Sequence, residues 1–421
     1  MGTTTRGVFP FRWAGAERAG GIDRKLLDAV AARIGPAPVR LALGSASTPA
    51  TDGPAIATVR FRDRTTLMAL ALDPVGRFGD AYAQGRVEVE GDLVGALASV
   101  YRALATRSRP SVLRRLAARI PRSMARDHDY VQRHYDLGND FYRLWLDERL
   151  VYTCAYFETQ AQLLEDAQIA KLELVCRKLG LRPGETVIEA GCGWGALALH
   201  MARHHGVRVR AYNVATRQIA WARERARREA LADRVEFIAQ DYRRIEGHAD
   251  AFVSVGMLEH VGLASYGDLA RVIERTLDKN HGRGLLHFIG RDRPQPLDPW
   301  IVRRIFPGAY APTLDEAFRG VVTPAGMSVL DVENLRPHYA LTLRHWRERY
   351  ERAHAEGRVG FDAWFRRAWR LYLAGSEASF RSGWLQLFQV VFAPAGSNAI
   401  PWTRKALYRS EEGLPWSAPT S

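Results

Sequence analysis

Ile188-Glu189-Ala190-Gly191-Cys192-Gly193-Trp194-Gly195 is the stretch on which the fold turns. The apolar run Thr186–Ala190 reads as a short strand, and Ala196–His204 behind the glycines reads as a helix. Glycines at a strand-to-helix junction let the chain turn tightly and bring its backbone against a ligand. A dinucleotide fingerprint has the order Gly-x-Gly-x-x-Gly. Here the order is Gly-x-Gly-x-Gly, with the acidic Glu189 two residues before the first glycine. That spacing suits a ligand with no pyrophosphate to seat on a helix dipole. A glycine turn of purely structural use is the competing explanation, so the flanking sequence has to decide.

C-terminal to the turn, strand and helix patterns alternate. Val207–Tyr212, Val235–Ala239, Ala251–Val255 and Gly284–Ile289 read as strands, and Thr216–Leu231 and Tyr266–Leu277 as helices. Met327–Glu333 and Leu385–Phe392 read as later strands. This alternation predicts a doubly wound α/β sheet. In such a sheet ligands lie beyond the carboxyl ends of the strands. Asn213-Val214 ends the second strand, with Gln218 in the first turn of the next helix, where a ribose would lie. Gln240-Asp241-Tyr242 ends the third and offers a carboxylate and a ring to an adenine. Ser254-Val255-Gly256-Met257-Leu258-Glu259-His260-Val261-Gly262 follows the fourth, putting Glu259 and His260 where a second reactant would arrive. Any one of these, taken alone, is an ordinary surface loop. Adjacent strand ends that all carry suitable groups favour a site.

Upstream, residues 22–106 read as a small mixed domain. Helices are predicted over Leu26–Arg33 and Val94–Ala105, and strands over Val39–Leu43, Ala57–Phe61, Thr66–Leu72 and Arg86–Glu90. Residues 102–126 then carry eight arginines and no carboxylate, with Val112, Leu113, Leu116 and Ile120 spaced as one apolar helical stripe. A charge run is usually a solvated face; joined to an aliphatic stripe it suits a surface resting on acidic phospholipid. The chain of 421 residues has a net charge of +14, and only five of its 60 basic residues are lysine. Genomic base composition accounts for such a bias, as does attraction to a polyanion. No run approaches the ~18 apolar residues of a spanning helix, and charges interrupt Met1–Gly20, so neither a membrane span nor a signal peptide is expected. Cys154, Cys176 and Cys192 are too few and too scattered for a disulfide framework or a zinc site, so no metal is expected.

Several ordered motifs resemble those of the cyclopropane-fatty-acyl-phospholipid synthases and the related mycolic acid cyclopropane synthases. They are His134-Tyr135-Asp136-Leu137-Gly138-Asn139-Asp140-Phe141-Tyr142, Tyr152-Thr153-Cys154-Ala155-Tyr156-Phe157, the glycine turn, Val255–Gly262, Leu286-His287-Phe288-Ile289-Gly290 and Ile305-Phe306-Pro307-Gly308. The resemblance covers about residues 75–393. It implies an α/β fold: a seven-stranded Rossmann-like S-adenosylmethionine methyltransferase domain preceded by a small α+β N-terminal domain. The implied division is a lipid-associated or dimerisation domain over 1–106, a basic linker over 107–126, a catalytic domain over 127–395 and a C-terminal extension over 396–421.

The resemblance also implies roles. Tyr152 and Thr153 would close over the methionine of S-adenosylmethionine, with Gly191 and Gly193 beneath it and Glu189 beside the turn. Asn213, Val214 and Gln218 would hold the ribose, and Asp241 and Tyr242 the adenine. Cys154, Glu259, His287, Ile289 and Tyr339 match the family's bicarbonate pocket, Cys154 and Ile289 acting mainly through backbone groups. The implied reaction adds a methylene to the cis double bond of a phospholipid acyl chain. A double bond that attacks the sulfonium methyl becomes a carbocation, and bicarbonate oriented by these side chains can take the proton whose loss closes the ring. Loss of a proton from a neighbouring carbon would instead give a methylene- or methyl-branched chain. The ring faces of Tyr156, Phe157, Tyr310 and Trp346 are candidates to stabilise the cation, though core packing is the better account of each taken singly. Glu189 stands where the family usually has aspartate, Ala215 where serine is common and Ser376 where cysteine is common. The implied partners are a membrane phospholipid, an anionic membrane surface and a second copy of the chain. Nucleic acid is not expected, because an Asn/Asp-Pro-Pro-Tyr amine site is missing from the sequence. The implied location is cytoplasmic, peripheral to the inner face of a bacterial membrane.

Overall fold

A computed structural model describes residues 20–107, 137–398 and 400–405. His134, Tyr135 and Asp136, most of the arginine-rich segment 102–126 and the end of the C-terminal extension lie outside the described residues. Two compact units divide the chain, one of residues up to Thr106 with Asp362–Leu371, the other of Arg107–Phe361 with Tyr372–Ser421.

The first unit holds a four-stranded sheet of β1 (Val39–Leu43), β2 (Ala46–Ser47), β3 (Ala57–Phe61) and β4 (Val87–Gly91), in the order β2-β1-β3-β4. β1 and β3 are parallel; the outer pairings are antiparallel. Leu27, Val39, Leu41, Phe61, Leu67 and Val87 fill its core. Thr66–Leu72, expected as a strand, belongs instead to a helix, Arg64–Leu72. The Asp63 carboxylate accepts the Thr66 N–H at 2.7 Å and caps it. Leu-Met-Ala-Leu-Ala then propagates the helix better than a strand, burying Leu67, Leu70 and Ala71 on one face. Asp362–Leu371 groups with this unit because Arg367 donates to the carbonyls of Tyr82 and Val87, at 2.7 and 3.0 Å, and lies over the Tyr82 ring.

The second unit is built on a seven-stranded sheet of order β10-β11-β9-β8-β5-β6-β7. Its strands are β5 (Thr186–Ala190), β6 (Arg208–Asn213), β7 (Val235–Ala239), β8 (Ala251–Val255), β9 (Arg283–Gly290), β10 (Met327–Asn334) and β11 (Gln386–Pro394). β5 to β9 are parallel, while β11 runs antiparallel between β9 and β10. Helices Leu164–Leu179, Ala196–His205 and Thr216–Arg228 pack one apolar layer on the sheet. Tyr266–Thr276 and the turn at Phe318–Val322 pack another. Strand order reverses between β5 and β8, so the crevice at their carboxyl ends is open to a ligand.

Candidate active site

The glycine turn sits at that reversal. Gly193 has φ +54°, and a Cβ there would meet no protein atom within 4 Å, so this face of the turn opens on the crevice. Gly195 is a glycine for the opposite reason: a Cβ would lie 2.5 Å from the Phe237 ring.

Beyond the turn lies an open crevice of about 1180 Å³. Tyr152, Thr153, Glu189, Gly191, Gly193, Asn213, Val214, Gln218, Asp241 and Tyr242, the residues expected around the cofactor, all line it. Local bonds preset several of them. Asn213 Nδ2 donates to Gln218 Oε1 at 2.8 Å, and Asn213 Oδ1 accepts the Ala215 N–H at 3.2 Å. The Gln218 amide nitrogen is left buried without a partner, as is Glu189 Oε2. These are the polar atoms that a ribose and a methionyl group would satisfy. Burial would raise the Asp241 carboxyl, but the Arg243 guanidinium and backbone N–H outweigh it and hold the group ionised. The Tyr152 hydroxyl shares a 2.7 Å hydrogen bond with Tyr372, which fixes the ring in the crevice lining.

Lys171 was not anticipated. It is buried, lines the same crevice and donates to Thr153 Oγ1 at 3.0 Å. Burial lowers its pKa to about 8 and raises that of Glu189 to about 8, each tempered by the other's charge. The rarity of lysine in an arginine-rich chain was no signal for it. Of the five lysines, Lys171 and Lys178 are buried while Lys25, Lys279 and Lys405 are exposed, so lysine alone marks no site.

The five residues matched to the bicarbonate pocket lie off the lining of this crevice. Glu259 follows β8, and its Oε1 accepts the Ile289 N–H at 2.5 Å, so the backbone of Ile289 holds the Glu259 carboxylate. His287 lies on β9, two residues before Ile289, and its carbonyl accepts the Gly256 N–H at 2.8 Å. Glu259 Oε2 and His287 Nε2 are both buried without a hydrogen-bond partner. A carboxylate oxygen and a ring nitrogen are the kinds of atom that a small oxyanion bearing one O–H satisfies, so the chemistry of these residues fits bicarbonate. Burial raises the Glu259 carboxyl to about 7 and lowers the His287 imidazole well below its usual range, so His287 is neutral.

The proton on that imidazole is placed from the far side. Lys178 Nζ can only donate, and it donates to Gln389 Oε1 at 2.7 Å. The Gln389 amide nitrogen therefore faces His287 Nδ1, 3.0 Å away, and donates to it. Nδ1 is the acceptor, so the ring hydrogen sits on Nε2, the partnerless atom. Glu333 completes the chain by accepting from Lys178.

Cys154 is fully buried and its Sγ donates to the Ala155 carbonyl at 3.0 Å. Tyr339 is half-buried, its ring 4.5 Å from that of Phe380 and 6.0 Å from that of Trp346. Of the aromatics considered for the cation, Tyr156 stacks on His338, Phe157 on His345, Trp346 packs on Trp145 and Tyr152, and Tyr310 donates to Glu316. None of the four lines the crevice.

Comparison with known proteins adds four findings. The family model described as mycolic acid cyclopropane synthetase matches residues 122–390. A probable fatty acid methyltransferase of Pseudomonas putida is 34% identical over 362 residues, covering 84% of this chain and 91% of its own. The cyclopropane-fatty-acyl-phospholipid synthase of Escherichia coli K12 is 38% identical over 268 residues, covering 63% of this chain and 68% of its own. The solved structure of mycolic acid cyclopropane synthase CmaA1 with SAH and CTAB superposes with a TM-score of 0.58 at 30% identity, covering 63% of this chain and 97% of its own. With its glycine turn, crevice and seven-stranded sheet, the chain belongs to the mycolic acid cyclopropane synthetase family and is an S-adenosylmethionine-dependent methyltransferase of the cyclopropane synthase type.

Proposed function

We propose that this enzyme converts the cis double bond of an unsaturated phospholipid acyl chain into a cyclopropane ring, with bicarbonate held by Glu259, His287, Cys154, Ile289 and Tyr339. The observation that carries the reading is the pair of buried, partnerless atoms Glu259 Oε2 and His287 Nε2. A buried polar atom left unpaired costs about 1–3 kcal/mol, and each of these two is an atom that a polar guest would satisfy.

In the reaction the double bond attacks the methyl of S-adenosylmethionine. A C–C bond forms, the S–CH₃ bond breaks, and S-adenosylhomocysteine leaves. The resulting carbocation loses one methyl proton as the second C–C bond closes. Bicarbonate, when bound, supplies the base for that proton. The chain's own groups orient it: neutral His287 donates from Nε2, and ionised Glu259 accepts at Oε2. Glu259 Oε1 stays tied to Ile289, so only one carboxylate oxygen is free to turn toward the guest.

The substrate has to come from a bilayer. No helix among the described residues is long and apolar enough to cross a membrane. We place the enzyme at the inner face of the bacterial membrane, held from outside the bilayer.

A second reading keeps the methyl transfer but ends in a methyl- or methylene-branched chain. The Pseudomonas relative, named a probable fatty acid methyltransferase and matching the larger share of this chain, favours it. Expression in a bacterial host lacking its own cyclopropane synthase, followed by lipid extraction, decides between them. Upfield ring-methylene protons in the NMR spectrum are expected. Vinylidene or methyl-branch signals in their place establish the second reading, and unchanged lipids reject both.

A further inference from the structure

Away from the crevice, two helices bring four side chains of a different chemistry together. Glu173 and Cys176 stand three residues apart on Leu164–Leu179, so they share one helix face. His200 and His205 lie on Ala196–His205, the latter as its last residue. One ligand atom from each, the carboxylate oxygen, the thiol sulfur and a nitrogen of each ring, falls within 4.8 Å of all the others. Both imidazole Nε2 atoms lie 3.1 Å from the same Glu173 oxygen.

From this geometry we infer a zinc-class metal site formed by Glu173, Cys176, His200 and His205. A tetrahedral zinc with ligand bonds of about 2.0–2.3 Å sets its ligands about 3.3–3.7 Å apart. The four atoms are close enough to reach that arrangement by side-chain rotation. The order Glu-x-x-Cys followed by His-x-x-x-x-His has the paired spacing of structural zinc modules, with a carboxylate in one place. A thiolate with two imidazoles selects a borderline-soft ion over magnesium or calcium. One thiolate and one carboxylate neutralise a divalent charge, so the loaded site carries none, as a largely buried site requires. With four protein ligands no position is left for substrate, and the role is structural. The ion would pin the last turns of Leu164–Leu179 to the end of Ala196–His205. That matters to the reaction at a distance, because the first of these helices also carries Lys171 and Lys178. The expectation of no metal rested on cysteine spacing alone, and two of the ligands are histidines.

The competing account is an ion pair, with Glu173 bridging two histidines and Cys176 packed beside them. The full-length chain, saturated with zinc and dialysed into metal-free buffer, should retain one zinc per chain by elemental analysis. Cobalt substitution should give intense tetrahedral visible bands and a thiolate-to-cobalt charge-transfer band in the near ultraviolet. Cys176→Ala with His200→Gln should retain none. A chelator should lower the melting temperature of the parent and leave that of the double variant unchanged. If the folded parent holds no stoichiometric zinc, or its cobalt spectrum lacks the thiolate band, the cluster is an ion pair and the inference fails. Zinc retained in full by the double variant overturns the ligand assignment. Should that variant not fold, the cobalt spectrum of the parent decides alone.

Discussion

At the scale of single residues, the proposed chemistry rests on protonation states set by burial. Ionised, Glu259 offers only an acceptor at Oε2; with Oε1 taken by the Ile289 N–H, protonation would put a donor hydrogen on Oε2 against the guest's own O–H, and burial raises the pKa to about 7. Below that pH the folded enzyme carries the neutral acid. kcat/KM, measured at fixed bicarbonate concentration, should therefore rise about tenfold per pH unit up to about 7 and then level. Glu259→Gln should lower the plateau by ~10²–10⁴ and abolish the limb, with S-adenosylmethionine binding nearly intact. A limb that persists in the variant assigns it to another group. His287 is set differently, since its tautomer depends on Gln389 and Lys178 behind it. Gln389→Glu keeps the volume but offers His287 an acceptor, which would draw the ring hydrogen to Nδ1. Turnover should fall roughly 10–100-fold, and the ring ¹⁵N shifts of His287 should exchange between the two nitrogens. Unchanged shifts would show that Gln389 does not choose the tautomer.

At the scale of elements, the sequence and the fold agree where local pattern and tertiary demand coincide. β5 and β8 are short strands buried inside a parallel sheet and β7 is its half-exposed edge, and the bounds of all three match the predicted strands residue for residue. The helix at Arg64–Leu72 was read as a strand because a continuous apolar run has no period to distinguish the two; the Asp63 cap was the available signal. The cofactor crevice was legible because its residues cluster at strand ends. Lys171, Lys178 and Gln389 were not, because they come from the middle and the last turn of one helix and from a late antiparallel strand, joined to the site only by tertiary packing. The glycine turn offers a prediction at this scale. In Gly193→Val a β-branched side chain must adopt φ +54° and project into the crevice. Calorimetry should detect no S-adenosylmethionine binding, while Gly193→Ala, with a smaller intrusion, should bind measurably more weakly than the parent. Circular dichroism checks that both fold. Parent-like affinity in the folded valine variant would mean that the cofactor does not pass over this turn.

At the scale of the whole molecule, the proposed substrate raises the question of how a chain with no spanning helix among its described residues would reach an acyl chain inside a bilayer. Drawing a lipid into water exposes apolar surface at about 0.8 kcal/mol per CH₂, so the enzyme should work while resting on the membrane. Two features suit such a contact. The arginines at 114, 115, 119 and 122 would each contribute up to roughly 1 kcal/mol beside an anionic surface, an attraction that salt screens. Met68, Leu72 and Val75, on the successive helices Arg64–Leu72 and Pro74–Ala83, are 51%, 71% and 40% exposed, where side chains of their kind are usually covered. Inserting two such side chains into the headgroup boundary would contribute ~3 kcal/mol if each were fully buried. The two contributions separate by salt. Charge reversal of the four arginines should weaken co-sedimentation with phosphatidylglycerol vesicles at low salt and flatten its salt dependence. Met68→Glu with Leu72→Glu should weaken binding at least tenfold at moderate salt, where the electrostatic share is already screened, and should affect activity on detergent-dispersed lipid much less. If the Met68/Leu72 variant sediments like the parent, these side chains do not enter the bilayer. If the arginine variant does so as well, the membrane contact lies on another surface.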